Sequence, residues 1–145
     1  MILEGSLAAF AAERGNEEHH ARLSEEVAEM FAAIGNPTDY LIHDVLFHRI
    51  ISQASGNPIL AALMETITSA LYENRRKTVE YSTDLRESAE MHREIYRAIR
   101  ARKSIEAREL MNQHLRMAQA AQGIEPSTGR KPSQRNSKHA RVERK

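Results

Sequence analysis

Cysteine is absent from all 145 residues. Disulfides, iron–sulfur clusters and thiolate zinc fingers are thereby excluded, and any bound metal must be held by nitrogen and oxygen. Long hydrophobic runs are missing too: nothing approaches the roughly 18 to 20 consecutive apolar residues of a membrane span. The N-terminus lacks the basic stretch, apolar stretch and cleavage site of a secretory signal. A cytoplasmic location with no membrane partner is the resulting expectation. Period-two alternation, the mark of half-buried strands, is never sustained, which leaves little room for a sheet.

What is present suits one compact domain: 41% of the residues are hydrophobic and 28% charged. The net charge of +1 hides an asymmetry. From Glu125 to Lys145 there are seven basic residues, among them Arg130, Lys131 and Arg135, against Glu125 and Glu143. Rich in Ser, Pro and charge, this stretch has too few large apolar side chains to offset its ordering entropy, and a disordered basic tail is expected. Phosphate contacts by such a tail are conceivable, but it has no aromatic residue to stack on a base. Residues 1–124 form the expected domain.

Apolar residues in that domain recur at intervals of three and four, so the expected fold class is all-α, an antiparallel bundle of about six helices joined by short turns. The first runs from about Ile2 to Arg14 with Leu3, Leu7, Phe10 and Ala11 on one face. Gly15 ends it, expected in the left-handed conformation. Asn16 caps the second, with Glu17 and Glu18 at its positive end and Leu23, Val27, Met30, Phe31 and Ile34 as its stripe. After the turn Asn36-Pro37-Thr38-Asp39, a third helix runs from Tyr40 to Ala54, apolar on more than one side and therefore central. Ser55-Gly56-Asn57-Pro58 ends it and starts the next: Gly56 permits the turn, Asn57 caps, and Pro58 occupies the first helical position. The fourth helix carries Leu60, Leu63, Met64, Ile67 and Leu71, then turns polar. The fifth, from about Asp84, shows Met91, Ile95, Ala98 and Ile99 with His92 at the rim of that face. The sixth, from about Ser104, shows Ala107, Met111, His114, Leu115 and Ala118.

Four residues on these helices have metal-ligating chemistry. Asp44 and His48 are one turn apart on the third helix, about 40° apart around its axis, so one carboxylate oxygen and one imidazole nitrogen reach a common ion at about 2.0 to 2.2 Å. His92 and His114 lie equally far from the turn near residue 103, which makes them level if the last two helices form a hairpin. A carboxylate in a segment as apolar as Leu41 to Ile51 is costly unless paired or coordinated, and the three imidazoles are candidates for its partner. Against this stands the reading of each histidine as a core residue with one satisfied hydrogen bond. Arg75 and Arg76, after the apolar face of the fourth helix, are candidates to pair with a ligand carboxylate. Asn57 is a weaker candidate, since capping already accounts for it. His19, His20 and His43 are assigned to surface or rim positions.

The order and wording of these segments resemble the ligand-binding C-terminal domain (FCD) of the FadR branch of GntR-type bacterial transcription regulators. The marks, between Leu3 and about Met117, are Leu3-Glu4 with Ala11-Ala12-Glu13-Arg14; Asp44-x-x-Phe47-His48 with Ala54-Ser55-Gly56-Asn57; His92-x-x-Ile95-x-x-Ala98-Ile99; Ala107-x-x-x-Met111; and Met111-x-x-His114-Leu115. Asn57 belongs to that pattern as well. The resemblance implies an all-helical effector domain in which Asp44, His48, His92 and His114 hold a divalent metal, the metal-binding type rather than the acyl-CoA-binding type. Zn²⁺ is the first expectation, with Ni²⁺, Mn²⁺ or Fe²⁺ also suited to imidazole and carboxylate. It further implies a small organic acid completing the coordination, a homodimer, and an attached winged-helix module whose placement the effector shifts through differential affinity for two arrangements. That module and the beginning of the first helix are missing from the sequence, so DNA contact is expected only through a module outside it. Two other classes stay open: a small metal-dependent enzyme, and a metal-free dimerisation module. No further Asp or Glu is evidently placed as a general base, and the paired Glu-x-x-His motifs of di-iron bundles are absent, so sensing is expected over catalysis.

Overall fold

Residues 2–82 and 84–122 are described by a computed structural model, and the expected basic tail lies outside them. Six helices follow one another: α1 (Ile2–Arg14), α2 (Glu17–Ala32), α3 (Pro37–Ala54), α4 (Pro58–Tyr81), α5 (Leu85–Arg100) and α6 (Ser104–Gln122). No strand occurs among the described residues, and the all-α bundle expected from the periodicity is the fold. Among the same residues, no helix is long and apolar enough to cross a membrane.

Side-chain caps fix the helix starts. Asn16 accepts from the His19 amide, and the His19 ring takes the Asn16 N–H in return. Asn57 accepts from the amides of Ile59 and Leu60, with Pro58 at the first helical position. Asn36 does the same for Thr38 and Asp39, so α3 begins at Pro37, earlier than the expected Tyr40, because the Asn-Pro pair starts a helix as well here as at Asn57. Asp84 caps α5 through Arg86 and Glu87.

Gly56, at φ +66°, makes the α3–α4 turn. Gly15 differs from expectation: it is not left-handed, and its amide bonds back to the Ala11 carbonyl at 2.8 Å. What requires glycine there is crowding, since a Cβ would lie 2.6 Å from the Ala11 oxygen. The second left-handed residue is Arg102 (φ 61°) in the α5–α6 turn, whose guanidinium donates to the carbonyls of Ala12 and Glu13 and so closes the C-terminal end of α1.

The core is built on two central helices rather than one. α3 contributes Tyr40, Phe47, Ile50 and Ile51, all buried. α1 packs against α3, α4, α5 and α6, and its buried Ala8, Ala11 and Ala12 let those neighbours approach closely. α5 and α6 form the expected hairpin and add Ile95, Ile99, Ala107 and Met111. α4 behaves differently. Of its apolar stripe only Met64 is buried, while Leu63 and Leu71 stay 48% and 44% exposed. The helix leans over the bundle as a wall, and the space behind it holds the site.

Because α1 is enclosed, Ala11→Leu overpacks the core and is expected to lower stability by about 1–3 kcal/mol, whereas the same change at the exposed Ala62 of α4 is nearly neutral; urea-denaturation midpoints of the two variants compare them.

Candidate metal centre

Asp44 and His48 project from α3, His92 from α5 and His114 from α6, and all four side chains are buried. One ligand atom from each lies within 4.8 Å of the other three. His92 and His114 meet edge to face with centroids 4.3 Å apart, so the hairpin does bring them level. His48 stacks on His114 at 5.4 Å. His92 is fully enclosed rather than at the rim of its helix face, since Tyr40 and Phe47 of α3 pack edge-on against it.

The hydrogen bonds orient the rings. His92 Nδ1 lies 2.7 Å from the Ser88 carbonyl oxygen, which only accepts, so Nδ1 carries a proton and Nε2 is the nitrogen turned to the cluster. That Nε2 lies 3.1 Å from Asp44 Oδ1 and has no hydrogen-bond partner among the described residues. Such a contact is held either by a proton on Nε2 or by a cation between the two atoms. His48 Nε2, 4.0 Å from the same oxygen, is likewise buried and unpartnered.

Burial disfavours the charged form of the His48 and His114 imidazoles. For His48, desolvation followed by the nearby Arg75 guanidinium holds the ring well below its ordinary value; for His114, desolvation followed by His92 does the same. Neutral imidazoles need lose no proton to bind a metal. Asp44 is opposite in sign: burial would raise its carboxyl, but the Arg75 guanidinium beside it brings it well below the usual range. The donor set is thus three imidazole nitrogens and one carboxylate, with the Nε2 atoms of His48 and His92 left without a hydrogen-bond partner beside the shared space. It fits a divalent ion of the Zn²⁺ or Ni²⁺ kind.

The buried carboxylate has a partner that sequence reasoning did not assign to it. Arg75 Nη1 donates to Asp44 Oδ2 at 3.0 Å, and its Nη2 donates to Glu4 Oε1 at 2.7 Å. Burial raises the Glu4 carboxyl and Arg75 opposes the rise. Glu4 was missed altogether, although it is the sole charged side chain between Ile2 and Ala12, a signal in its own right. Arg76 and Asn57, the other candidates for ligand contact, lie elsewhere. Arg76 bonds Glu73 and Glu80 on the outer face of α4, because one residue step rotates it about 100° from Arg75. Asn57 is engaged as a cap. Among the remaining histidines, His19 joins the α2 cap and His43 pairs with Glu26 at 2.8 Å. His20, expected near the surface, is buried, with Nδ1 3.7 Å from a Glu17 oxygen and neither ring nitrogen hydrogen-bonded among the described residues, and desolvation lowers its pKa.

A cavity of about 550 Å³ opens onto the four-residue cluster. Asp44, His114, Glu4 and Arg75 form its polar end; Leu3, Met64, Ile67, Leu71, Val79, Leu85 and Leu115 form apolar walls; Asn74, Thr78, Ser82 and Ser88 add hydroxyl and amide groups. A concave, mostly apolar space with a few convergent polar groups is the ordinary form of a small-ligand site.

The model of the FCD domain family matches residues 1–117. The chain belongs to the FCD domain family. It is 34% identical over 126 residues to a Bacillus subtilis protein described as an uncharacterized HTH-type transcriptional regulator, YcbG, covering 80% of this chain and 48% of that one. It is 29% identical to the HTH-type transcriptional repressor NanR of Klebsiella aerogenes, covering 83% and 47%. The chain therefore spans about half the length of the curated relatives it matches. Among solved structures, Streptococcus agalactiae GntR superposes with a TM-score of 0.69 at 26% identity over 81% of this chain and 53% of that one. E. coli McbR/YncC superposes with a TM-score of 0.65 at 23% identity over 81% and 59%, a likeness of fold. FCD domains are the effector-binding domains of GntR-family regulators, and the matched relatives are described as transcriptional regulators.

In the unfolded chain the imidazoles of His48 and His114 protonate near pH 6.5, and in this FCD domain only well below it. Between those values the unfolded state binds more protons, so stability is full above about pH 6.5 and declines as pH falls, by up to about 1.4 kcal/mol per pH unit for each ring. Urea midpoints of chelator-treated protein are expected to drop between pH 7 and 5, and His114→Leu to flatten the slope; an unaltered slope contradicts neutral burial of that ring.

Proposed function

We propose that this FCD domain senses a small organic acid at a divalent metal held by Asp44, His48, His92 and His114, and thereby modulates DNA binding by a winged-helix module outside these residues. The observation that carries the reading is the set of four buried ligand atoms within 4.8 Å of one another, with the unpartnered lone pairs of His48 and His92 among them. When bound, the ion supplies a Lewis-acidic centre with an open position for an acid's carboxylate or hydroxyl. Asp44 and the three rings hold it in place. Arg75 sits between the cluster and the cavity, where its guanidinium is placed to share itself with an incoming carboxylate. The apolar walls of α4 and α6 exclude water from the body of the ligand and strengthen those polar contacts.

Signalling requires the acid to bind one arrangement of a dimer better than another. α4 is the element suited to respond, since it makes few buried contacts and walls the cavity on one side. A homodimer in the cytoplasm is part of this reading. One observation favours a metal-free alternative: Arg75 already neutralises Asp44, so the carboxylate does not require an ion to be tolerated. The buried Nε2 atoms of His48 and His92, both without a hydrogen-bond partner among the described residues and both turned to the same carboxylate oxygen, weigh against it, because one cation would engage them together.

Elemental analysis of purified protein beside an Asp44→Ala/His92→Ala variant decides between the two. Near one equivalent of metal in the wild type and none in the variant is expected; equal contents remove the site. Dicarboxylates, sugar acids and 2-hydroxy acids are then expected to raise the melting temperature only without chelator, by roughly RT ln(1 + [L]/Kd) in free energy. Arg75→Ala should abolish that rise and, by leaving Asp44 and Glu4 buried and unpaired, cost about 3–5 kcal/mol.

A further inference from the structure

We infer that Glu4 is a positioning residue for the metal, the outer carboxylate that receives the His48 Nδ1 proton and, through Arg75, is tied to Asp44. The inference rests on the metal reading above and concerns a residue that does not touch the ion. The two Glu4 oxygens have different surroundings. Oε1 takes the Arg75 guanidinium at 2.7 Å, whereas Oε2 is buried without a hydrogen-bond partner among the described residues. That free oxygen lies 3.8 Å from His48 Nδ1, while the other nitrogen of the same ring, Nε2, faces Asp44 and is itself unpartnered.

A neutral imidazole carries one proton, so a ring that offers Nε2 to a cation must hold the proton on Nδ1. For His92 the Ser88 carbonyl receives it at 2.7 Å. For His48 the facing acceptor is Glu4 Oε2, within a small side-chain adjustment of hydrogen-bond length. The acceptor here is charged, which both fixes the tautomer and makes Nε2 a stronger donor to the metal. Charge balance points the same way. Asp44 and Glu4 carry two negative charges against one on Arg75, leaving the neutral-imidazole cluster with an uncompensated negative charge that a dication meets. Glu4 comes from α1, Arg75 from α4 and Asp44 from α3, so the ion's surroundings reach beyond the helices that supply its ligands.

Glu4→Gln keeps the shape and an oxygen for Arg75 while removing the charge. Zn²⁺ affinity measured by chelator competition is expected to weaken by about 10- to 100-fold, with far-ultraviolet circular dichroism unchanged. In ¹⁵N spectra of the Zn²⁺-loaded protein, the His48 Nδ1–H signal should shift in the variant and that of His92, bonded to Ser88, should not. If the wild type binds no Zn²⁺, the proposed function itself falls. If the wild type binds Zn²⁺ and Glu4→Gln matches its affinity and its His48 signal, only the role of Glu4 falls. The wild-type spectrum alone is a further test, independent of how the variant folds: a Zn²⁺-loaded His48 protonated on Nε2 overturns the inference.

Discussion

The Asp44 carboxylate, 4% exposed in the middle of an apolar helix, is the constraint around which the rest of the molecule is arranged. A charge so placed is tolerated only when other elements come to it. Three do so directly: α4 with Arg75, α5 with His92 and, in the same cluster, α6 with His114. α1 joins through Glu4 on the far side of the Arg75 guanidinium. Five of the six helices thus meet around one buried charge, and α2 serves by packing α3 and α5 from behind.

Charge and solvent exclusion act together in this arrangement. The alanine-rich face of α1 brings the other helices close enough to dry the cluster, and dryness disfavours charge on His48 and His114. Neutral rings leave lone pairs free to face the buried carboxylate. On the α4 side the packing is looser, because of its long apolar stripe Met64 alone is fully buried, Leu60 and Ile67 only partly so. The looseness is the cavity. A tighter α4 would narrow the opening onto the polar end of the bundle.

Much of this was legible in the sequence. Helical periodicity and the Asn-Pro and Asn-Glu starts located all six helices, and placing His92 and His114 at equal distances from residue 103 anticipated their contact. Asp44 and His48 share a face by the geometry of one helix turn. Less legible were the residues whose role depends on another helix. Arg75 and Arg76 are indistinguishable as neighbours in a polar stretch, yet one points to Asp44 and the other to Glu73 and Glu80. Glu4 announced itself only as a lone charge in an apolar segment, and His20 and His92 read as less buried than they are.

The sequence by itself determined the helices, most of their starts, the fold class and the four side chains of the Asp44, His48, His92 and His114 cluster, because periodicity, capping and i, i+4 geometry are local and act within a few residues. Tertiary structure decided which carboxylate balances which guanidinium, which imidazole nitrogens are left without partners, and that α4 stands away from the core to leave a cavity. Those outcomes depend on crossing positions between helices as far apart as Glu4 and Arg75, where a rotation of one residue, about 100°, exchanges a buried ion pair for a solvated one.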